Sequence, residues 1–558
     1  MKTATCIHRE FPLFLILLVT CWRPGYGQQT EPAAAPSFTE LQVDPALLLQ
    51  MEAVWSVIGN RDNPVWPGWD ASRTPVMFYL PGIQEVLINH PTPPASYMAY
   101  RGPLAKRFPS LMVHNGDTEF AYDGQNTSRK LYGEQTLIVA DTLSNRKNWL
   151  RGWASSPQDL DQRLADLDYR SLRADPYQQM EMIAHEAFHV FQYKHLKHDL
   201  SSDFNARYYP CLSVEGNVGL ALEGKAMLEA INTADPQVAR RAALRWLALR
   251  LDRRKEMNSA AIAFEDDNEF MEGLATYAGL RCMEILQGTT PQPELFFVQG
   301  FQGFADMSHL KDAQLYMLEK LMRGEVNVNN DRFGVAPARK RMYSSGLALA
   351  LILDKLAATS WKQEIAAPQA TLTGLIRQHL NPSEDDMEVA LQEARDDPEL
   401  PALYEAKRQL AAEGEDDTKS LVKSIVDGPN SLLVVDWSEF GNDDRGLSYT
   451  SFGLRSVDSD RVVYTLVPIQ ARFGDDAASF QQQIPRPTLD DTTNQIIQFQ
   501  LTDTVDSQWM QQHLGDDQGG VWKADDMSLT LPGVVFKANS ATLRLTGDTV
   551  WIKLHKPN

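Results

Sequence analysis

The residues His185-Glu186-Ala187-Phe188-His189 restrict this chain more than any other stretch, because they make sense only on a helix. The flanking sequence supplies that helix. Asp175 can cap it, Pro176 suits the first helical position, and Gln178 stands three residues after the cap, so a helix is predicted over 176–197. Residues four apart are separated by about 400° of rotation, so the imidazoles of His185 and His189 leave one face about one turn apart. Two neutral imidazoles placed this way can share one zinc ion. Glu186 is offset around the helix and can reach a water at that ion without ligating it, which is what a general base requires. With 11 His in 558 residues, composition alone would produce H-E-x-x-H on the order of once in a hundred such chains.

Catalytic zinc takes three protein ligands, so another side chain must come to this helix. His195 lies ten residues after His185, the spacing of H-E-x-x-H-x-x-G-x-x-H, but Gln192 stands where that pattern needs Gly. On an unbroken helix His195 is about 15 Å along the axis and about 80° round from His185, too far to close on the same ion. His198 fails on distance as well. The better candidate is Glu272, within Glu269-Phe270-Met271-Glu272-Gly273-Leu274-Ala275-Thr276-Tyr277-Ala278-Gly279. A helix over 267–286, starting near Asp266-Asp267-Asn268, places Glu272 beside Ala275, Thr276 and Gly279, whose small side chains permit close helix approach. Glu223, in Leu222-Glu223-Gly224-Lys225-Ala226, is the reserve ligand.

This combination resembles the gluzincin branch of the zincin metallopeptidases, in which H-E-x-x-H supplies two zinc ligands and the base and a glutamate on a downstream helix supplies the third. The resemblance implies His185, His189 and Glu272 as Zn2+ ligands, Glu186 as base, and a peptide or protein as substrate; it spans about 110 residues. Thr276 stands where thermolysin-like members carry an Asp, leaving the partner that orients the ligands unassigned. Tyr277 and Tyr343 are candidate donors to an oxyanion. The expectation is a zinc-dependent hydrolase of peptide bonds; the alternative is a zincin-like module that binds a partner at the cell envelope without cleaving it.

The rest of the chain sets bounds. Lys2 and Arg9, the apolar run Phe11 to Trp22 and Gly25-Tyr26-Gly27 read as a signal peptide over 1–27, so export to a periplasmic or extracellular location is expected. A weaker alternative reads Leu18-Val19-Thr20-Cys21 as a lipoprotein signal with an anchor on Cys21. No later stretch is long and apolar enough for a transmembrane helix. A formal charge of −20 argues against nucleic acid as partner. Cys211 and Cys282, the two cysteines beyond the leader, are a candidate disulfide.

The predicted fold class is α+β: a zincin-like catalytic domain with a mainly helical lower part, then a C-terminal all-β sandwich-like domain. Residues 28–40 read as a flexible tether and 41–175 as a mixed α/β part, with strands at Val76–Leu80, Glu85–Ile88, Phe120–Tyr122 and Gln135–Ala140. Residues 176–412 form the mainly helical metal-site region, 413–430 a linker, and 431–558 the β domain, announced by alternation around Gly547-Asp548.

Overall fold

The computed structural model describes residues 40–116, 124–145, 147, 162, 175–196, 205–328, 331–357, 360–441, 444–448, 453–465, 468–474, 477–515 and 520–556. The leader, Cys21, nearly all of the tether, the strand read at 120–122 and His198 lie outside these residues. The chain is α+β, 49% helix and 20% sheet, with a helical middle and a β-rich C-terminal part.

Helix α1 (Pro45–Ile58) precedes a six-stranded sheet of β1 (Val76–Leu80), β2 (Gln84–Ile88), β3 (Met98–Ala99), β4 (Met112–Asn115), β5 (Thr127–Leu131) and β6 (Glu134–Ala140), in the order β3-β4-β2-β1-β6-β5. Strands β1 and β6 are parallel, and β1 meets β2 through a turn at Pro81-Gly82, where Gly82 takes φ 70°. Alternation divides the apolar side chains. Val76, Phe78, Leu137 and Val139 join the main core beneath the helices, whereas Met77, Tyr79, Ile138 and Ala140 form a smaller core on the opposite face.

The helical region contains α2 (Pro176–His195), α3 (Val214–Asn232), α4 (Pro236–Arg254), α5 (Ser259–Asn268), α6 (Leu274–Leu286), α7 (Ser308–Met322), α8 (Val335–Ala357), α9 (Leu372–Leu380), α10 (Glu384–Arg395) and α11 (Leu400–Val426). Helix α2 lies on β5 and β6 and against α1 and α6. The apolar run Leu347 to Leu353 sits inside the main core, as its nearly unbroken hydrophobicity requires.

Residues 413–430 are not an irregular linker, because helix continues through Val426. The acidic run Glu413-Gly414-Glu415-Asp416-Asp417 obscures a helical stripe of Leu403, Lys407, Leu410, Gly414, Thr418 and Ile425, all buried. Gly414 belongs to that stripe because a Cβ there would come within 2.5 Å of the Leu212 side chain.

The C-terminal strands, β7 (Leu432–Asp436), β8 (Arg445–Ser448), β9 (Leu454–Ser456), β10 (Arg461–Tyr464), β11 (Gln470–Phe473), β12 (Ala478–Gln482), β13 (Thr488–Asp491), β14 (Ile496–Gln500), β15 (Val521–Leu531), β16 (Val534–Thr546) and β17 (Thr549–Leu554), form one sheet rather than the two of a sandwich. Helix α12 (Ser507–Leu514) interrupts them. The long β16 pairs with β12, β15 and β17, and β17 runs parallel to β7, so all the strands stay in one connected ladder shaped as a half-barrel. Its apolar face shares a core with Phe264 of α5 and Val335, Ala338 and Met342 of α8. The sheet therefore braces two helices that carry or flank the candidate site.

A buried charge cluster fastens α3, α4 and α5. Arg250 donates to Glu223 and, through two nitrogens, to Glu269, while Arg253 bridges Glu223 and Glu265. Arg254 and the Tyr209 hydroxyl also donate to Glu265. Burial alone would raise both Glu223 and Glu265, but the arginines outweigh it and hold them below the usual carboxylate range. Removing one partner leaves buried guanidinium groups uncompensated, so Glu265→Gln is expected to lower stability by about 3–5 kcal/mol at neutral pH in denaturant unfolding. A carboxylate whose folded pKa is depressed stabilises fully above its unfolded value of about 4.3, and that contribution fades as pH falls through the folded value. The gap between wild type and variant should therefore be constant above about pH 5 and narrow only in stronger acid.

Candidate metal centre

Helix α2 starts as its sequence predicts: the Asp175 carboxylate accepts from Tyr177 N at 3.0 Å, and Pro176 occupies the first turn. Ile183, Ala184, Ala187, Phe188 and Phe191 are buried in the core. That anchorage fixes the direction of His185 and His189, whose ring centroids are 4.7 Å apart. His195, at the end of α2, packs on Phe191 instead.

Glu272 comes from a longer helical run than the predicted 267–286. Asn258 caps α5, and α5 leads into α6 through a π-helical turn, Glu269–Gly273. The sequence Asp266-Asp267-Asn268 resembles a helix start, but it lies within the run because Arg254 binds Asp266 and the Asn268 amide donates to the Phe264 carbonyl. The π turn carries Glu272, and such turns frequently occur at functional sites. Small residues let the neighbouring helices close in. A Cβ on Gly279 would lie 2.8 Å from the Glu181 carbonyl of α2, and one on Gly273 would lie 2.4 Å from the Gly346 Cα of α8.

The three side chains meet. His185 Nε2 and His189 Nε2 are 3.1 Å apart, and Glu272 Oε2 lies 3.5 and 3.4 Å from them respectively. Tetrahedral bonds of about 2.0–2.1 Å place neighbouring donor atoms about 3.3–3.4 Å apart, so this triangle has the edge lengths that zinc needs. Among the described residues, this is the one group of three or more His, Cys, Asp and Glu side chains disposed to hold a metal ion.

Neighbouring groups contact each of the three side chains. The Gln192 side-chain NH2 donates to the carbonyls of Phe270 and Met271 in the π turn at 2.8 and 3.1 Å, which leaves its oxygen to accept from His189 Nδ1 at 2.8 Å. His189 Nε2 therefore faces the centre, and one amide ties both ligand-bearing elements together. Thr276 donates to the Glu272 carbonyl at 2.8 Å, and its oxygen lies 3.5 Å from His185 Nδ1. Thr276 thus stands beside His185 Nδ1 at the outer limit of hydrogen bonding. Arg339 Nη2 binds the other carboxylate oxygen of Glu272 at 3.2 Å. Tyr343, one turn further along α8, stacks on His185 with centroids 6.2 Å apart, and the Lys340 ammonium is 4.0 Å from the Tyr343 ring centroid.

Burial pushes His185 down to about 4, and the His189 charge works in the same direction. Burial also opposes protonation of His189, but the Glu272 hydrogen bond and charge, joined by Glu186, outweigh it and raise it to about 9. For Glu272, burial is overcome by both histidines and Arg339, so the carboxylate is held well below its ordinary value. These directions favour an imidazolium at His189 beside an ionised Glu272, so a cation entering the trio would compete with the proton on His189 Nε2. Glu186 makes no hydrogen bond or ion pair with a described residue; burial raises it to about 7, against the opposing His189 charge and with the Glu272 charge adding to the rise.

Three expectations are corrected. Glu223 is committed to Arg250 and Arg253 and does not approach the histidines, because its α3 position faces the buried arginine cluster. The Tyr277 hydroxyl donates to Asp354 at 2.8 Å from a fully buried position, about 100° round α6 from Thr276, so it is no oxyanion donor. Cys211 and Cys282 are free thiols packed in separate cores. The sequence reading missed Gln192, Arg339 and Lys340. Gln192 had a legible signal, an amide three residues after His189 on the same helix face. Arg339 and Lys340 looked like ordinary helix charges.

Gln192→Leu keeps the side chain's size but removes the bridge between His189 and the π turn. Zinc affinity, read by chelator competition, is expected to fall about 10- to 100-fold with the fold intact. Comparison of the chain with protein-family models, curated proteins and solved structures finds no match.

Proposed function

We propose that this chain is an exported zinc-dependent metallopeptidase of the gluzincin type, with His185, His189 and Glu272 as ligands and Glu186 as general base. The observation that carries the reading is the triangle of Nε2, Nε2 and Oε2 atoms with edges of 3.1 to 3.5 Å. Zinc held there supplies Lewis acidity, acidifying water and polarising a carbonyl.

The chain's own residues account for the remainder. Glu186 adjoins the trio, has no competing partner among the described residues, and can take a proton from water and return it to the leaving amine. Arg339 and Thr276 hold Glu272 and His185, and Gln192 holds His189, so the donor set is oriented before substrate arrives. Tyr343 and Lys340 line the same side on α8 and are the groups available to stabilise an oxyanion. The test is a peptide-library digest with the zinc-loaded full chain. Cleavage that chelator stops and zinc restores supports the reading, and no cleavage of any peptide by stoichiometrically loaded protein rejects it.

A further inference from the structure

A second feature lies away from the metal centre. Between α6, α7, α8 and the single helical turn Trp361–Glu364, a cavity of about 410 Å3 is lined by Arg281, Lys311, Lys355 and Lys362, with Asp354 as the one carboxylate among its described lining residues. In a chain of net charge −20, such a concentration of cations is unexpected. The cavity is separate from the candidate metal site. Asp354 is eleven residues beyond Tyr343 on α8, about 16 Å along the axis, and Arg281 projects about 140° round α6 from Thr276.

The carboxylates present offset these cations only in part: the Asp354 charge acts on Lys362 and Arg281, and Glu284 pairs with Arg281, against four cations. Asp354 accepts from the Tyr277 hydroxyl at 2.8 Å and from the Trp361 indole at 3.0 Å, so its oxygens are occupied by neutral donors. Glu284 pairs with Arg281 and sits a loose 3.8 Å from Lys311, leaving Lys311 donors open to solvent. Arg281 Nε is buried with no acceptor among the described residues. Lys362 donates to the Val65 carbonyl at 2.8 Å, and Lys355 is held by the carbonyls of Ala230, Ile231 and Thr233. Burial pushes both lysines down; Lys311 adds to this for Lys355, while for Lys362 the Asp354 charge opposes it and Arg281 adds to it. The volume suits a small ligand, and cations on four separate elements converge on it.

We propose that this cavity binds a small multiply charged anion, a phosphate ester or a polycarboxylate, with Arg281, Lys311 and Lys362 as its donors and Lys355 contributing charge. Charge-assisted contacts from guanidinium and ammonium groups are the chemistry such a ligand requires. The proposal does not depend on peptidase activity.

The test is calorimetric titration of the full chain with inorganic phosphate, glycerol 3-phosphate and citrate, at an ionic strength held constant with chloride. Saturable binding of at least one of them is expected, roughly tenfold weaker in Lys311→Met and in Lys362→Met. It should be unchanged in Glu272→Ala, which separates this cavity from the metal centre. The Lys311 side chain is 41% exposed, so its replacement tests the site with less disturbance of packing even if Lys362→Met folds poorly. Preference for the two phosphates identifies the ligand as a phosphate ester, and preference for citrate identifies a polycarboxylate. Heats no larger than those of sodium chloride for all three, or undiminished affinity in Lys311→Met, overturn the proposal.

Discussion

Glu186→Gln is expected to leave zinc bound while lowering peptide hydrolysis by about 10²- to 10⁴-fold, the range a positioned general base supplies. The amide keeps the size of the carboxylate but cannot accept a proton, and Glu186 shares no hydrogen bond with the ligand set that the change would disturb. The measurement pairs turnover on the best library peptide with zinc content by elemental analysis. A variant that retained wild-type turnover would remove Glu186 from the mechanism, whereas one that lost its zinc would show that the residue supports the metal instead.

Glu272→Ala should have the opposite signature. It removes an oxygen 3.4 to 3.5 Å from both imidazole nitrogens and leaves Arg339 without that partner. Wild-type protein is expected to carry about one zinc, and the variant to bind it more than about 100-fold more weakly, exceeding the effect of losing an orienting neighbour. Because Arg339 is partly exposed, the fold should tolerate the change better than it tolerates Glu265→Gln, where the stranded arginines are buried. If native, folded protein bound no zinc after reconstitution, the metallopeptidase reading would fall.

Much of the donor set was legible in sequence because it depends on short-range geometry. The four-residue spacing of His185 and His189 and the Asp175-Pro176 start are consequences of one helix, and one helix can be read locally. Glu272 was legible for another reason: Ala275, Thr276 and Gly279 advertised a face that could approach closely, and Gly279 does meet the α2 backbone. The π turn was not legible, since nothing in Glu269-Phe270-Met271-Glu272-Gly273 distinguishes it from α-helix until Arg250, Ser345 and Gly346 are in place around it. The partners of Glu223 and Tyr277 were hidden likewise, because which face of a helix meets which neighbour is decided by tertiary packing. In the C-terminal part, alternation identified strands such as β16 and β17, but it cannot say whether strands share one ladder or divide between two, and here they share one.

The π turn between α5 and α6 bears on how such a centre can arise or be lost. A π turn takes one more residue than the α-helical path it replaces, so the run Ser259–Leu286 has the register of an ordinary helix carrying a single-residue insertion. Deleting Gly273 would restore an unbroken helix and rotate Glu272 by about 100° relative to α6, while most of the packing on either side could persist. The boundary between a chain that brings these three side chains together and a similarly folded one that does not is therefore one codon wide, and it lies in the helix contributing the carboxylate rather than in the histidine motif.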